Sequence, residues 1–487
     1  MKVCASYIAA AGAALIASGC DGGPSGPETV APGLVVVSGA AGPDTIQTVR
    51  AEPLVVQVAD SAGRVRAGVV VRFEAVPDPV SRATWLDVAG AETQPYRTSV
   101  DATTDARGRA EVRVRFGALA GSHPLAITVP ELGYRDTARF AVTAGAAVRV
   151  VAAPADSAVY VGRGYTLRAA TADRFLNPRT DPVTYELARG PATVSGATVT
   201  GVSTGRAAVV ARAGSFADTS YVSVVPPGVL AAQAYDPGNG GPIGLALLQM
   251  DGSEYRIIAS GIDNRGVPHG LDWSPDGREL VFTRENRVRL LVPGGGERTL
   301  AELSAPVGGA RFAPNGAALY LGVGPRAGTG SSLYRLNADG TGAMRIGEPA
   351  TSAGEEFNPS PSPDGRSLAY VSLRTPCGVE RCIRVLDLAT GRDTNFRVTG
   401  RHAAWSPTDD RIAIATERSI LLVRADGTGT RVLAERILNV TWMDWSPDGR
   451  WIVVGSHTQP VTLIDTQSGD VLPLAFLASH GEAAWRP

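Results

Sequence analysis

From Pro32 to Ala144 apolar and polar positions alternate in short runs broken by turn residues, with no sustained helical period. Leu54-Val55-Val56-Gln57-Val58 leads into Asp60-Ser61-Ala62-Gly63, and Val69-Val70-Val71-Arg72-Phe73 follows. Thr104-Asp105-Ala106-Arg107-Gly108 then precedes the alternating run Ala110–Phe116. The same habit continues over residues 145–226, through Val159-Tyr160-Val161, Tyr165–Ala169, Gly205–Ala211 and Tyr221–Val225, until Pro226-Pro227-Gly228 marks a boundary. Short strands at this spacing predict two β-sandwiches, residues 32–144 and 145–226.

Beyond Val229 the pattern becomes a repeat. Trp273-Ser274-Pro275-Asp276-Gly277 recurs as Phe312-Ala313-Pro314-Asn315-Gly316, Pro361-Ser362-Pro363-Asp364-Gly365, Trp405-Ser406-Pro407-Thr408-Asp409 and Trp445-Ser446-Pro447-Asp448-Gly449, ending on a truncated Trp485-Arg486-Pro487. The first positions are 39, 49, 44, 40 and 40 residues apart. Each full copy precedes an apolar strand-like run such as Leu280–Thr283 or Ile452–Ser456. A second, offset signal (Asp251-Gly252, Gly294-Gly295, Asp339-Gly340, Thr390-Gly391, Asp426-Gly427, Ser468-Gly469) shares the period, so one repeat is four strands joined by tight turns. A lone four-stranded sheet cannot bury both faces, and the copies are expected to stack radially as six propeller blades over residues 229–487. The first blade lacks a strand, which Glu482-Ala483-Ala484-Trp485 would supply, closing the ring with the two ends of the repeat region. The whole chain is thus expected to be all-β: two sandwiches, then a six-bladed propeller.

These repeats resemble the Trp-Ser-Pro-Asp-Gly propellers of the TolB family, over roughly half the chain. That family places a small α/β domain before its propeller, where this chain has sandwich patterns. The Asp-x-x-Gly and Thr-Asp-x-x-Gly turns of residues 32–144 resemble the bacterial Ig-like repeats of invasin-type surface proteins. Residues 145–226 resemble the shorter bacterial Ig-like domains that act as spacers. Both resemblances leave adhesion and a plain stalk open.

Lys2 followed by the apolar stretch Ala5–Ala17 and the small residues Ala17-Ser18-Gly19 reads as an export signal over residues 1–19. The run is too short for a stable membrane-spanning helix. With Cys20 it resembles a bacterial lipobox, which implies lipidation of Cys20, a flexible tether over residues 20–31 and attachment to the cell envelope, at either membrane. Cys4 would leave with the signal. The remaining pair, Cys377 and Cys382, brackets a loop between two strand-like runs and suits a disulfide in an oxidising compartment, with free thiols or a metal site as alternatives.

Of the 46 basic residues only Lys2 is a lysine, and 47 acidic residues leave a formal charge of −1. No basic footprint points to nucleic acid. Neither a nucleophile elbow, nor a His-Glu-x-x-His helix, nor a glycine-rich phosphate loop is present in the sequence. The candidate chemistry is positional. Three of the five histidines, His269, His402 and His480, fall three to five residues ahead of the repeat aromatics Trp273, Trp405 and Trp485, and Glu355 and Glu356 hold the matching window before Pro361. On an innermost strand these would approach the channel mouth, where imidazoles and carboxylates could hold one divalent metal or bind a ligand. The plain alternative is hydrogen bonding to loop carbonyls. Propeller lyases acting on acidic oligosaccharides carry such metal-binding histidines. Trp442, Trp451 and Tyr320 read as blade-packing aromatics. The expected function is therefore a monomeric, non-catalytic envelope lipoprotein without a cofactor, whose propeller binds a protein or glycan. The alternative is a metal-dependent lyase or hydrolase using the histidines.

Overall fold

A computed structural model describes residues 30–79, 81, 83–90, 95–235, 242–260, 269–324, 331–347, 356–373, 381–456, 458–474 and 482–487. Every regular element among them is a strand. No helix of the described residues is long and apolar enough to cross a membrane. The chain divides into two compact units, residues 1–148 with 172–179, and residues 149–171 with 180–487.

In the first unit, a sheet ordered Gly33–Ser38, Leu54–Ala59, Arg109–Phe116, Leu86–Gly90 shares one core with a five-stranded sheet. The latter runs Pro43–Thr45, Tyr134–Thr143, Gly121–Val129, Val70–Ala75, Ser99–Thr103. Arg109–Phe116 shows why the alternation matters: its even positions Ala110, Val112, Val114 and Phe116 are buried, and its odd positions are exposed. The segment 172–179 belongs to this unit, to which the buried Asp173 and Asn177 tie it. Asn177 Nδ2 donates to Ala118 O (2.7 Å), and its Oδ1 accepts from Ala120 N (2.8 Å).

The second unit opens with the strands Asp156–Tyr160, Phe216–Val225, Gly205–Ala213 and Thr184–Arg189, which pack on a smaller sheet of Gly164–Thr166, Thr198–Gly201 and Ala192–Ser195. Among the described residues it continues into six consecutive four-stranded antiparallel sheets, I to VI. Sheets II to VI begin with the inner strands His269–Trp273, Val307–Phe312, Glu356–Pro361, His402–Trp405 and Val440–Trp445. Sheet I holds Val229–Tyr235, Pro242–Gln249 and Tyr255–Ser260, and its inner strand is Ala483–Trp485, paired Leu230 to Trp485 and Ala232 to Ala483. Each inner strand touches the next, and that of sheet VI touches that of sheet I, so the sheets close into a β-propeller.

The repeated turn is structural chemistry. Asp276 Oδ1 accepts from Ser274 Oγ (2.6 Å) and Arg278 N (3.1 Å), and Ser274 Oγ accepts from Glu279 N (2.9 Å). The same box recurs at Ser362/Asp364 and Ser446/Asp448. Gly277 takes φ +67°, a left-handed conformation that L side chains rarely adopt. Trp442, Trp451 and Tyr320 are buried at 3%, 3% and 5% exposure, as blade-packing aromatics should be.

The propeller and the sandwich before it do not meet as bead and string. Tyr160 Oη donates to Gln249 Oε1 (2.8 Å) and accepts from Met250 N (3.0 Å), and Ser223 Oγ donates to Pro473 O (2.8 Å). Ala158, Tyr160 and Val225 pack into a core cluster with Trp442, Trp451 and Leu472.

Candidate functional site: the propeller axis

The residues one and three positions before the repeat aromatics gather around the propeller axis, where they line two cavities, Ala484 excepted. One position before stand Asp272, Arg311, Ser360, Ala404, Asp444 and Ala484; three before stand Gly270, Gly309, Asn358, His402, Trp442 and Glu482. Both sets meet at the centre, as two layers.

The first layer floors a funnel of about 340 Å³. Its collar is one proline per repeat, Pro275, Pro314, Pro363, Pro407, Pro447 and Pro487, around the edges of the repeat aromatics. Across the floor Arg311 donates from Nη1 to Asp272 Oδ1 (3.1 Å) and Leu271 O (3.1 Å), and reaches toward Asp444 Oδ1 at 3.9 Å. The acids have a second task. Asp272 Oδ2 accepts from Phe312 N (2.7 Å), Ser360 Oγ from Trp405 N (2.8 Å) and Asp444 Oδ2 from Trp485 N (2.8 Å), each latching one sheet to the next. Two further junctions are closed by indoles, Trp273 Nε1 to Ala484 O (3.3 Å) and Trp445 Nε1 to Ala404 O (2.9 Å). Loss of hydration outweighs the attraction of Arg311 and pushes the Asp272 carboxyl up to about 6; Asp444 rises for the same first cause.

Arg311 also lines a second, small cavity on the same axis, about 30 Å³, sized for a single water molecule. Asn358, His402, Trp442 and Glu482 line it with Gly270 and Gly309. His402 Nδ1 lies 3.2 Å from Asn358 Nδ2, and Glu482 accepts from Gly270 N. Burial pushes the His402 imidazole down to about 4, despite the opposing pull of Glu482, so it is neutral at physiological pH. Gly270 has no substitute here: its φ is +60°, and a Cβ would lie 2.3 Å from Gly309 Cα.

Of the sequence candidates, the structure brings His402 to the axis. Glu356 lies apart from both cavities: it is buried at 1% exposure, its N–H donates to Ser331 Oγ (3.0 Å), and its charge acts on Tyr370 within sheet IV. His269 begins an inner strand opposite Thr283. His480 and Cys377, like Cys20 and the whole of residues 1–29, lie outside the described residues; Cys382 is buried at the head of its strand. Among the described residues no group of three or more His, Cys, Asp or Glu is placed to hold a metal ion. Asp276 and Asp448 serve the turn box, and Trp273, Trp405, Trp445 and Trp485 the sheet junctions.

Sequence reasoning missed Asp272, Arg311, Ser360, Asp444, Asn358 and Glu482. Their signal was parity with the repeat aromatic. It breaks within three to five residues, because inner strands carry bulges, at His269/Asp272, Val307/Gly309, Phe357/Ser360 and Val440/Trp442, and Gly270 and Asn358 sit inside two of them at positive φ. A window reaching five residues back therefore mixes faces.

One family model matches, the anaphase-promoting complex subunit 4 WD40 domain, over residues 403–480. No curated protein matches the chain. Among solved structures it is similar to TolB from Acinetobacter baumannii, with 14% identity, 63% of this chain and 82% of that chain covered, and a TM-score of 0.42. The putative TolB from Agrobacterium tumefaciens shows 20% identity, coverage of 51% and 88%, and a TM-score of 0.39. For an oligogalacturonate lyase in complex with manganese the figures are 11%, 61%, 95% and 0.36. At such values the propeller rests on this chain's own strand pairing.

Proposed function

We propose that this chain is a cell-envelope lipoprotein, anchored through Cys20, in which two Ig-like spacers present a six-bladed propeller that binds a protein or glycan without catalysis. The observation that carries the reading is the funnel: it is open, collared by exposed or half-exposed prolines, and floored by polar groups already committed to latching sheets together. Such a floor can recognise a ligand, but its acids are poorly placed to move protons without loosening the ring. A Cys377–Cys382 disulfide, export through residues 1–19 and a monomeric state belong to the same proposal. Wild-type protein used as bait in envelope extract should retain a specific partner, and Pro447→Arg, which crowds the collar, should lose it. Recovery of no partner would favour a purely structural role. Mass spectrometry of the mature N-terminus would test acylation of Cys20.

A second reading, a metal-dependent lyase or hydrolase, has one observation in its favour: His402 is held neutral, the state a ligand histidine needs. Elemental analysis of purified protein, with His269→Ala, His402→Ala and His480→Ala beside it, decides. Absence of stoichiometric metal from the wild type rules this version out.

A further inference from the structure

The funnel floor carries more negative than positive charge. Asp272 and Asp444 face it, and the guanidinium of Arg311 stands between. Among the described residues no other charged side chain lines the funnel. Arg311 leans to one side: it bonds Asp272 at 3.1 Å and stops 3.9 Å short of Asp444. Each Asp444 oxygen receives one backbone N–H, from Trp445 (3.0 Å) and Trp485 (2.8 Å), and keeps further acceptor capacity. Removing carboxylates from water is unfavourable unless cations compensate them, and one guanidinium serves both funnel acids, Asp444 at the longer distance. Above this floor rise the six prolines, an apolar ring with no backbone N–H of its own.

We propose that the funnel seats a basic side chain, a lysine or arginine presented by a partner protein, with its charge against Asp444 and its methylene stem along the proline collar. This rests on the reading that the propeller is a binding head and names the chemistry that head selects. A glycan fits less well: sugars stack on open aromatic faces, and Trp273, Trp405, Trp445 and Trp485 are each buried to below 9% exposure. A long apolar stem with a charged tip matches an apolar collar over a charged floor.

The repeat supplies a gain-of-charge test. Ser360 occupies the place that Asp272 and Asp444 hold in their own sheets and accepts the same kind of backbone N–H, so Ser360→Asp adds a carboxylate without removing a latch. Calorimetric titration of the full-length protein uses end-capped tripeptides Gly-Arg-Gly and Gly-Lys-Gly, with Gly-citrulline-Gly as the neutral isostere and chitosan oligomers as a glycan arm. Both basic peptides should bind, the citrulline peptide about tenfold or more weaker, and Ser360→Asp should tighten the basic peptides by about tenfold. Asp444→Asn, which keeps an acceptor for Trp485 N, should weaken them comparably. Equal binding of the citrulline peptide, no response to Ser360→Asp, or binding of chitosan alone overturns the proposal. If envelope extract still yields a partner whose retention ignores both variants, the binding head stands and the cation site falls. If no partner is recovered although the peptides bind, the reverse holds.

Discussion

His402 and Asp272 lie on one axis and respond to acid in opposite directions. A free imidazole titrates near 6.5, whereas burial holds His402 at about 4. The unfolded chain therefore takes up a proton first, and the stability tied to neutral His402 is lost as pH falls from about 6.5 toward 4. Asp272, raised to about 6 from a reference of 3.8, binds its proton more tightly in the fold. Its contribution is present at low pH and lost as pH rises through about 6. Melting temperatures measured from pH 8 to pH 4 should fall less steeply in His402→Gln than in wild type, and more steeply in Asp272→Asn. An unchanged profile in His402→Gln would mean that this imidazole is hydrated rather than buried. At Gly270 the constraint is steric. Gly270→Ala should cost about 1–3 kcal/mol or more by denaturant titration, since both its positive φ and the 2.3 Å approach to Gly309 oppose a side chain.

At the scale of elements, the decisive strand is the last. Ala483–Trp485 pairs with Val229–Tyr235, Trp485 N bonds Asp444, and Ala484 O receives the Trp273 indole. One strand thus joins sheets I, II and VI. Deleting residues 481–487 should lower the melting temperature far more than trimming an ordinary tail, because it opens the ring and bares two sheet edges. Trp485→Ala should alone cost about 3–5 kcal/mol in chemical denaturation, the usual range for a buried aromatic. A melting curve of the truncated chain that overlays wild type would refute the closure. This element was legible in the repeat, because Trp485-Arg486-Pro487 preserves the aromatic and proline of the motif where the first sheet lacks its inner strand. The bulged starts of the inner strands were not legible. A bulge is set by pairing with the neighbouring strand, and Glu356 and Asn358 read alike until the register shift between Phe357 and Ser360 separates them.

At the scale of the molecule, the strands of residues 149–171 and 180–225 share core packing and hydrogen bonds with the propeller inside one compact unit, so the proposed second spacer should unfold together with the head it presents. Tyr160, Val225 and Ser223 join the core and hydrogen bonding of sheets I and VI. Scanning calorimetry should resolve one transition for residues 30–148 with 172–179 and a single further transition for the remaining strands and propeller together. Tyr160→Phe removes the hydroxyl that bonds Gln249 and shares Met250 N with Gly228 O, so it should lower only that second transition, by about 1 kcal/mol. Two separate transitions for the second unit would show that the contact is incidental.

The sequence by itself determined the strand-rich class, the repeat period, the turn chemistry and the closing strand, because each follows from local rules: period-two alternation, Pro and Gly backbone angles, and recurrence. Only the tertiary structure decided which side chains meet on the axis. Asp272, Arg311 and Asp444 come from three different sheets, and Arg311 and Asp444, 133 residues apart in the chain, come within a few ångströms once the ring closes. Their charges matter because closure takes them out of water, and burial is a property of the whole ring, visible in no single repeat.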